Sequence, residues 1–157
     1  MKSVCYTVLC LFLLTASCKK DQGTATCDIT VAAAPAQETE SLQQYLDDND
    51  IVAERHEKGF FYIIHEPGSG KQPDACSNVR VNYIGRLKNG NIFDQANNTS
   101  FGLSGLIPGW QAGVPLIRTG GRITLYLPPS HGYGSTGSSS VPPHAVLIFS
   151  VDLLEVK

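Results

Sequence analysis

The alternation of Val79, Val81, Tyr83 and Leu87 with Arg80, Asn82 and Arg86 constrains this chain more than any other stretch. Successive strand side chains point to opposite faces, so a period of two commits the segment to a half-buried strand. Asn89-Gly90 follows at once. That pair is the strongest short hairpin signal, because both residues tolerate positive φ, and residues 92–94 begin the return strand.

The same alternation recurs at Ile123, Leu125 and Leu127, and again at Leu147, Phe149, Val151 and Leu153. Residues 60–65 (FFYIIH) read as one more strand, closed by the breaker run 66–70 (EPGSG). Helical signals are few. Leu42, Tyr45 and Leu46 fall at i, i+3 and i+4, one narrow apolar stripe within residues 38–48. Asp47, Asp48 and Asp50 crowd its end and oppose the helix dipole, so a short helix should stop there. Residues 108–117 (PGWQAGVPLI) are the other helical candidate, with Pro115 removing a backbone donor inside it. The linker between Asp94 and Phe101 is short. Several antiparallel strands with so little helix predict an α+β domain in which the short helix covers the sheet's apolar face.

The N-terminus reads as a targeting segment. Lys2 precedes an apolar run from Val4 to Ala16, too short for the roughly 20 residues of a spanning helix but right for a secretory core. Residues 14–18 (LTASC) resemble a bacterial lipoprotein signal in which Cys18 becomes the lipid-bearing first residue, with Thr15 where Leu is usual. An ordinary secretory signal cleaved near Cys18 is the alternative. The predicted organisation is a signal over 1–17, a flexible tether over 18–37, a helical lead-in over 38–58 and the domain over 59–157. Cys27 and Cys76 would remain after processing. In an oxidising compartment they could pair, and two free thiols are equally compatible with the loops that hold them. No Cys/His spacing suggests a metal site.

With 12 Lys+Arg against 14 Asp+Glu, the net charge of −2 leaves no basic face for nucleic acid. The densest functional signal is the loop 126–137 (YLPPSHGYGSTG), ahead of 141–149 (VPPHAVLIF). Turn formers there present a single isolated Tyr133, as in a loop that carries function on a rigid scaffold.

Three stretches together resemble the FKBP-type peptidyl-prolyl cis–trans isomerases. They are residues 79–94 (VRVNYIGRLKNGNIFD), residues 101–110 (FGLSGLIPGW), and the Tyr133 loop with the strand after it. They stand in the family's order across residues 59–157, and the resemblance implies the family's α+β fold, a curved antiparallel sheet wrapped around one short α-helix with the ligand pocket between them. The resemblance implies that Trp110 is the floor on which a proline ring packs. Tyr83, Phe93, Leu106, Ile107, Val141 and Phe149 would form the apolar wall. Tyr133 would donate its hydroxyl to a substrate carbonyl, and Asp94 would contact the twisted amide or orient Tyr83. The catalytic set implied is therefore Asp94, Tyr133 and Tyr83, with no metal and no cofactor.

The departures from the family pattern lie at the rim. No arginine follows Asp94 to pair with it, Asn98 or Thr99 stands where a further wall aromatic is usual, and residues 138–140 (SSS) shorten the flap. A shallower, more polar rim is expected. Implied partners are proline-containing polypeptides and, with less support from the rim, macrolide inhibitors. The chain is expected to act as a monomer, touching membrane only through a lipid at Cys18, in the bacterial envelope. A non-catalytic module or chaperone that holds proline-containing segments is the alternative reading.

Overall fold

The computed structural model describes Cys27 and residues 29–157. The expected signal over 1–17, Cys18 and the first part of the tether lie outside the described residues. The domain is a six-stranded antiparallel sheet with two short α-helices: α1 (Ala36–Asp48), β1 (Glu54–Arg55), β2 (Phe61–Glu66), β3 (Asn78–Leu87), β4 (Ile92–Gly102), α2 (Pro108–Gly113), β5 (Arg122–Leu127) and β6 (Leu147–Val156). Strand order is β1-β2-β5-β6-β3-β4, and every pair is antiparallel.

Alternation sends apolar groups to both faces of the strands at the centre. On one face Phe60, Ile123, Leu125, Leu127, Phe149 and Val151 join Trp110 of α2 in the main core. On the other, Phe61, Tyr126 and Val146 pack with Leu42 and Leu46 of α1. The i, i+4 pair Leu42 and Leu46 is thus buried as its spacing predicts, with Tyr45 half-buried under the Lys88 ammonium, 5.5 Å from its ring centre. α1 stops at Asp48, where Asn49 donates through Nδ2 to the Tyr45 carbonyl at 2.7 Å and Asp50 turns left-handed at φ 55°.

The Asn89-Gly90 signal makes the expected hairpin in a longer form. Only Gly90 takes positive φ, at 85°. The Gly90 N–H reaches the Leu87 carbonyl at 2.9 Å and the Leu87 N–H reaches Asn91 at 3.0 Å, a turn followed by a left-handed glycine.

Three expectations need correction. Residues 95–100 are strand rather than linker, for β4 runs unbroken from Ile92 to Gly102. A bulge at this stretch hides the period: Val81 faces Thr99 whereas Tyr83 faces Ala96, and Asn98 sits at φ 54°. Its backbone N–H is held by Asn82 Oδ1 at 2.9 Å and its own Oδ1 by Arg80 at 2.7 Å. The free tether also ends earlier than residue 37. Cys27 is disulfide-bonded to Cys76 with Cα atoms 5.6 Å apart, Val31 is buried, and the Ala34 N–H donates to Lys58 at 2.8 Å. The paired alternative for the two cysteines is therefore the one adopted. Asp74 lies close to both sulfurs, but sulfurs bonded to each other offer no metal ligands.

Helix α2 lies close on β5 because two glycines four residues apart face it. A Cβ on Gly109 would collide with both Leu127 methyls, and one on Gly113 would meet the Leu125 methyls at 2.7 and 2.8 Å. Pro108 opens the helix at its first position, where its missing donor does no harm. α2 ends at Gly113 instead of reaching residue 117, and a 3₁₀ turn, Val114–Leu116, follows around Pro115.

Gly109→Ala should therefore destabilise the domain by about 1–3 kcal/mol through overpacking, although alanine gains about 1 kcal/mol in helix propensity. Urea unfolding of the two chains measures the difference. A second outcome concerns His56, which stacks on Phe60 at 4.3 Å and accepts the Lys58 N–H through Nδ1 at 3.1 Å. Burial holds its imidazole below the ordinary value of 6.5. The unfolded chain then takes the proton first, so this contribution is present above about pH 6.5 and fades below it. In His56→Gln, stability followed by urea titration should fall less steeply between pH 7 and pH 5 than in the parent.

Candidate functional site

A cavity of about 100 Å³ opens between α2 and the sheet, lined by Tyr83, Asp94, Phe101, Leu106, Ile107, Trp110, Tyr133 and Phe149. Trp110 comes from α2 and is 3% exposed. Three rings meet its indole edge-on: Tyr83 of β3 at 5.3 Å and 89°, Phe149 of β6 at 5.4 Å and 90°, and Phe101 of β4 at 6.1 Å and 83°. Edge-to-face contact of this kind fixes ring planes as well as positions. The floor is a rigid aromatic plate framed by three strands.

Leu106 and Ile107 arrive from the loop before α2. Gln111 secures that loop, donating through Nε2 to the Leu106 carbonyl at 2.8 Å and to Ser104 at 3.2 Å. Asp94 sits on β4 opposite Gly85, solvent-exposed, and accepts the Tyr83 hydroxyl at 2.7 Å. Among the described residues no cation pairs with its carboxylate. Burial first, and the hydrogen bond to Asp94 second, push the Tyr83 phenol far above its usual range. The hydroxyl is thus a committed donor that orients the carboxylate.

Tyr133 stands in the loop after β5, 39% exposed, where a chain of turns holds it. The Gly134 N–H donates to Pro129 at 2.9 Å, the Gly137 N–H to Tyr133 at 3.1 Å, and the His144 N–H to Gly134 at 2.9 Å. Its phenol is also raised, by burial and then by the nearby Asp94 charge. Among the described residues its hydroxyl has no hydrogen-bond partner, so it remains free to donate.

Tyr83, Asp94, Leu106, Ile107, Trp110, Tyr133 and Phe149, singled out from sequence, thus converge on one cavity. Phe93 and Val141 do not line it. Phe93 backs the wall, its ring 5.4 Å from Phe149 at 87°. Gly85 leaves room for that pair, since a Cβ there would meet both rings within 3.0 Å. Val141 is buried in the main core and closes the flap through the Ser138 N–H, which donates to it at 2.8 Å. Phe101 lines the cavity although its motif carried no such assignment. It lies one alternation beyond Thr99, the position where an aromatic was missed.

Residues 69–154 match the family model described as FKBP-type peptidyl-prolyl cis-trans isomerase. The FKBP-type peptidyl-prolyl cis-trans isomerase FkpA of Escherichia coli K12 is 42% identical over 103 residues, 63% of this chain and 38% of that protein. FkpA of Aeromonas hydrophila is 37% identical over 105 residues, 64% of this chain and 39% of that one. The chain thus spans about two fifths of the length of these curated relatives. Among solved structures, Escherichia coli FkpA superposes with a TM-score of 0.69 at 36% identity, over 78% of this chain and 58% of that one. A peptidyl-prolyl cis-trans isomerase from Pseudomonas syringae pv. tomato gives 0.69 at 28% identity, over 80% of this chain and 98% of its own. With more than half its length matched by the family model and the same fold around the cavity, the chain belongs to the FKBP-type peptidyl-prolyl cis-trans isomerase family.

Proposed function

We propose that this chain accelerates cis–trans rotation about X-Pro bonds in polypeptides. The observation that carries the proposal is the Trp110 plate, framed edge-on by Tyr83, Phe101 and Phe149, with the Tyr133 hydroxyl unclaimed at its mouth. Rotation meets a barrier of ~18–20 kcal/mol that comes from amide resonance, and unaided exchange before proline takes tens to hundreds of seconds. The resonance form separates charge and the twisted amide separates less. A dry apolar cavity therefore raises the planar state relative to the twisted one, which is the differential binding that catalysis needs.

In this reading the proline ring lies on Trp110 and the Tyr133 hydroxyl donates to a substrate carbonyl, fixing the chain while the bond turns. The Asp94 carboxylate, aimed by Tyr83, faces the rotating amide. No bond is made or broken, so no nucleophile is called for. The cavity is smaller than the roughly 300–1,000 Å³ of drug-sized sites, which suits one ring and its adjoining peptide. A macrolide-type inhibitor would share the same floor and leave most of its body outside.

Tyr133→Phe removes a hydrogen bond worth about 1 kcal/mol, so kcat/KM for a Leu-Pro peptide should fall about fivefold. Trp110→Leu should lower it more, at least about tenfold, because the stacking surface itself is lost. Exchange spectroscopy on a proline-containing peptide reads both. Binding without acceleration by the parent chain would favour a holding module instead.

We further propose export and lipid attachment at Cys18. The LTASC run and the Cys27–Cys76 disulfide support an oxidising compartment. Among the described residues no helix is long and apolar enough to cross a membrane. Cells given a labelled lipid precursor should incorporate it into the parent chain, and Cys18→Ser should abolish that signal.

A further inference from the structure

The Tyr133 loop is gripped from outside the segment that matches the family model, which begins only at residue 69. The 3₁₀ turn Pro129–His131 ends two residues before Tyr133. Two groups from the N-terminal lead-in hold it. The Ser130 N–H donates to Glu38 Oε2 at 2.8 Å, and His131 Nε2 donates to the Ala32 carbonyl at 2.9 Å. Since a carbonyl can only accept, the Nε2 nitrogen carries the hydrogen.

His131 is 2% exposed, and its ring meets Phe60 edge-on at 5.8 Å. Its Nδ1 is the one buried side-chain nitrogen or oxygen without a partner among the described residues. An apolar side chain would fill this space without stranding a lone pair. Filling space is therefore not what the imidazole supplies; its directed bond to Ala32 is. The receiving segment is itself anchored at several points: Cys27 to Cys76, Val31 in the interior, and the Ala34 N–H to Lys58 at 2.8 Å.

We propose that residues 31–38 form a clamp that sets the position of Tyr133 over the cavity, with His131 and Glu38 as positioning residues. The inference rests on the isomerase reading of the same site. It makes the lead-in part of the working enzyme rather than a spacer, for the loop leaves His131 and reaches Tyr133 within two residues. The grip is chemical as well as steric: one donor from a side chain and one from the backbone must both find fixed acceptors.

The test is a double-mutant comparison in the full chain, with peptide exchange as readout. His131→Asn, whose amide cannot reach Ala32, should lower kcat/KM about fourfold, no more than loss of the Tyr133 hydroxyl itself. His131→Gln places a donor near the Nε2 position and should stay within about twofold of the parent. Glu38→Ala, at a half-exposed position that leaves the core intact, should lower the rate about threefold. Emission from Trp110, the single tryptophan, should not move in any of them. In a Tyr133→Phe background the His131→Asn and Glu38→Ala changes should have almost no further effect, because what they position is gone. Equal losses in both backgrounds overturn the clamp in favour of general destabilisation, and so do parent-like rates in both Asn and Ala variants. If His131→Asn does not fold, Glu38→Ala in the two backgrounds decides alone. A parent chain without acceleration sinks the isomerase reading itself, a distinct result.

Discussion

The structure depends on how closely helix α2 lies on strand β5. Gly109 and Gly113 present only hydrogen to Leu127 and Leu125, so the helix axis sits nearer the sheet than side chains would allow. That depth is what lowers the Trp110 indole to the level of Tyr83, Phe101 and Phe149. A helix raised by one methyl layer would lift the floor into the cavity, because close-packed interiors do not yield locally. The cavity opens at the start of that helix, between Leu106, Ile107 and Trp110 on one side and Tyr83, Phe101 and Phe149 of the sheet on the other.

Around that floor the polar groups are few and already assigned. Tyr83 spends its hydroxyl on Asp94, which leaves the exposed carboxylate aimed by a buried donor. Tyr133 keeps its own hydroxyl free while its loop is held from both sides, by Gly134 and His144 within the loop and by Ala32 and Glu38 from the lead-in. Rigidity in the loop and freedom at one oxygen are the combination a positioned donor needs. The segment before β1 thus reaches the family-matched domain at this loop as well as through the Leu42 and Leu46 cluster.

Much of this was legible in the chain, for identifiable reasons. The alternation at 79–87 survives folding because β3 buries one face, and that at 123–127 because β5 sends Ile123, Leu125 and Leu127 to the main core and Tyr126 to the other. The same alternation explains why Phe60 and Phe61, adjacent in sequence, belong to different cores. Where regularity breaks, reading fails. The bulge at Asn98 shifts β4 by one residue, so its strand looked like a linker and Phe101 went unassigned. Pro115 weakened the helical reading of 108–117 but did not show that α2 would end at Gly113 with a 3₁₀ turn after it. Gln111 and His131 gave no local sign of their roles, since their partners Leu106 and Ala32 are backbone carbonyls, which every residue possesses.

The amino-acid order by itself determined strands β2, β3, β5 and β6, the hairpin at Gly90, the helix stripe of Leu42 and Leu46, and a loop with one isolated tyrosine. These are short-range properties, set by side-chain period and by backbone torsion at single residues. Only the tertiary structure decided that Cys27 meets Cys76, that Phe93 and Val141 back the cavity while Phe101 faces it, and that the lead-in holds the Tyr133 loop. Each of these joins residues that are distant in the chain or differ only in which way a ring points, and such choices are made by packing, which no local pattern encodes.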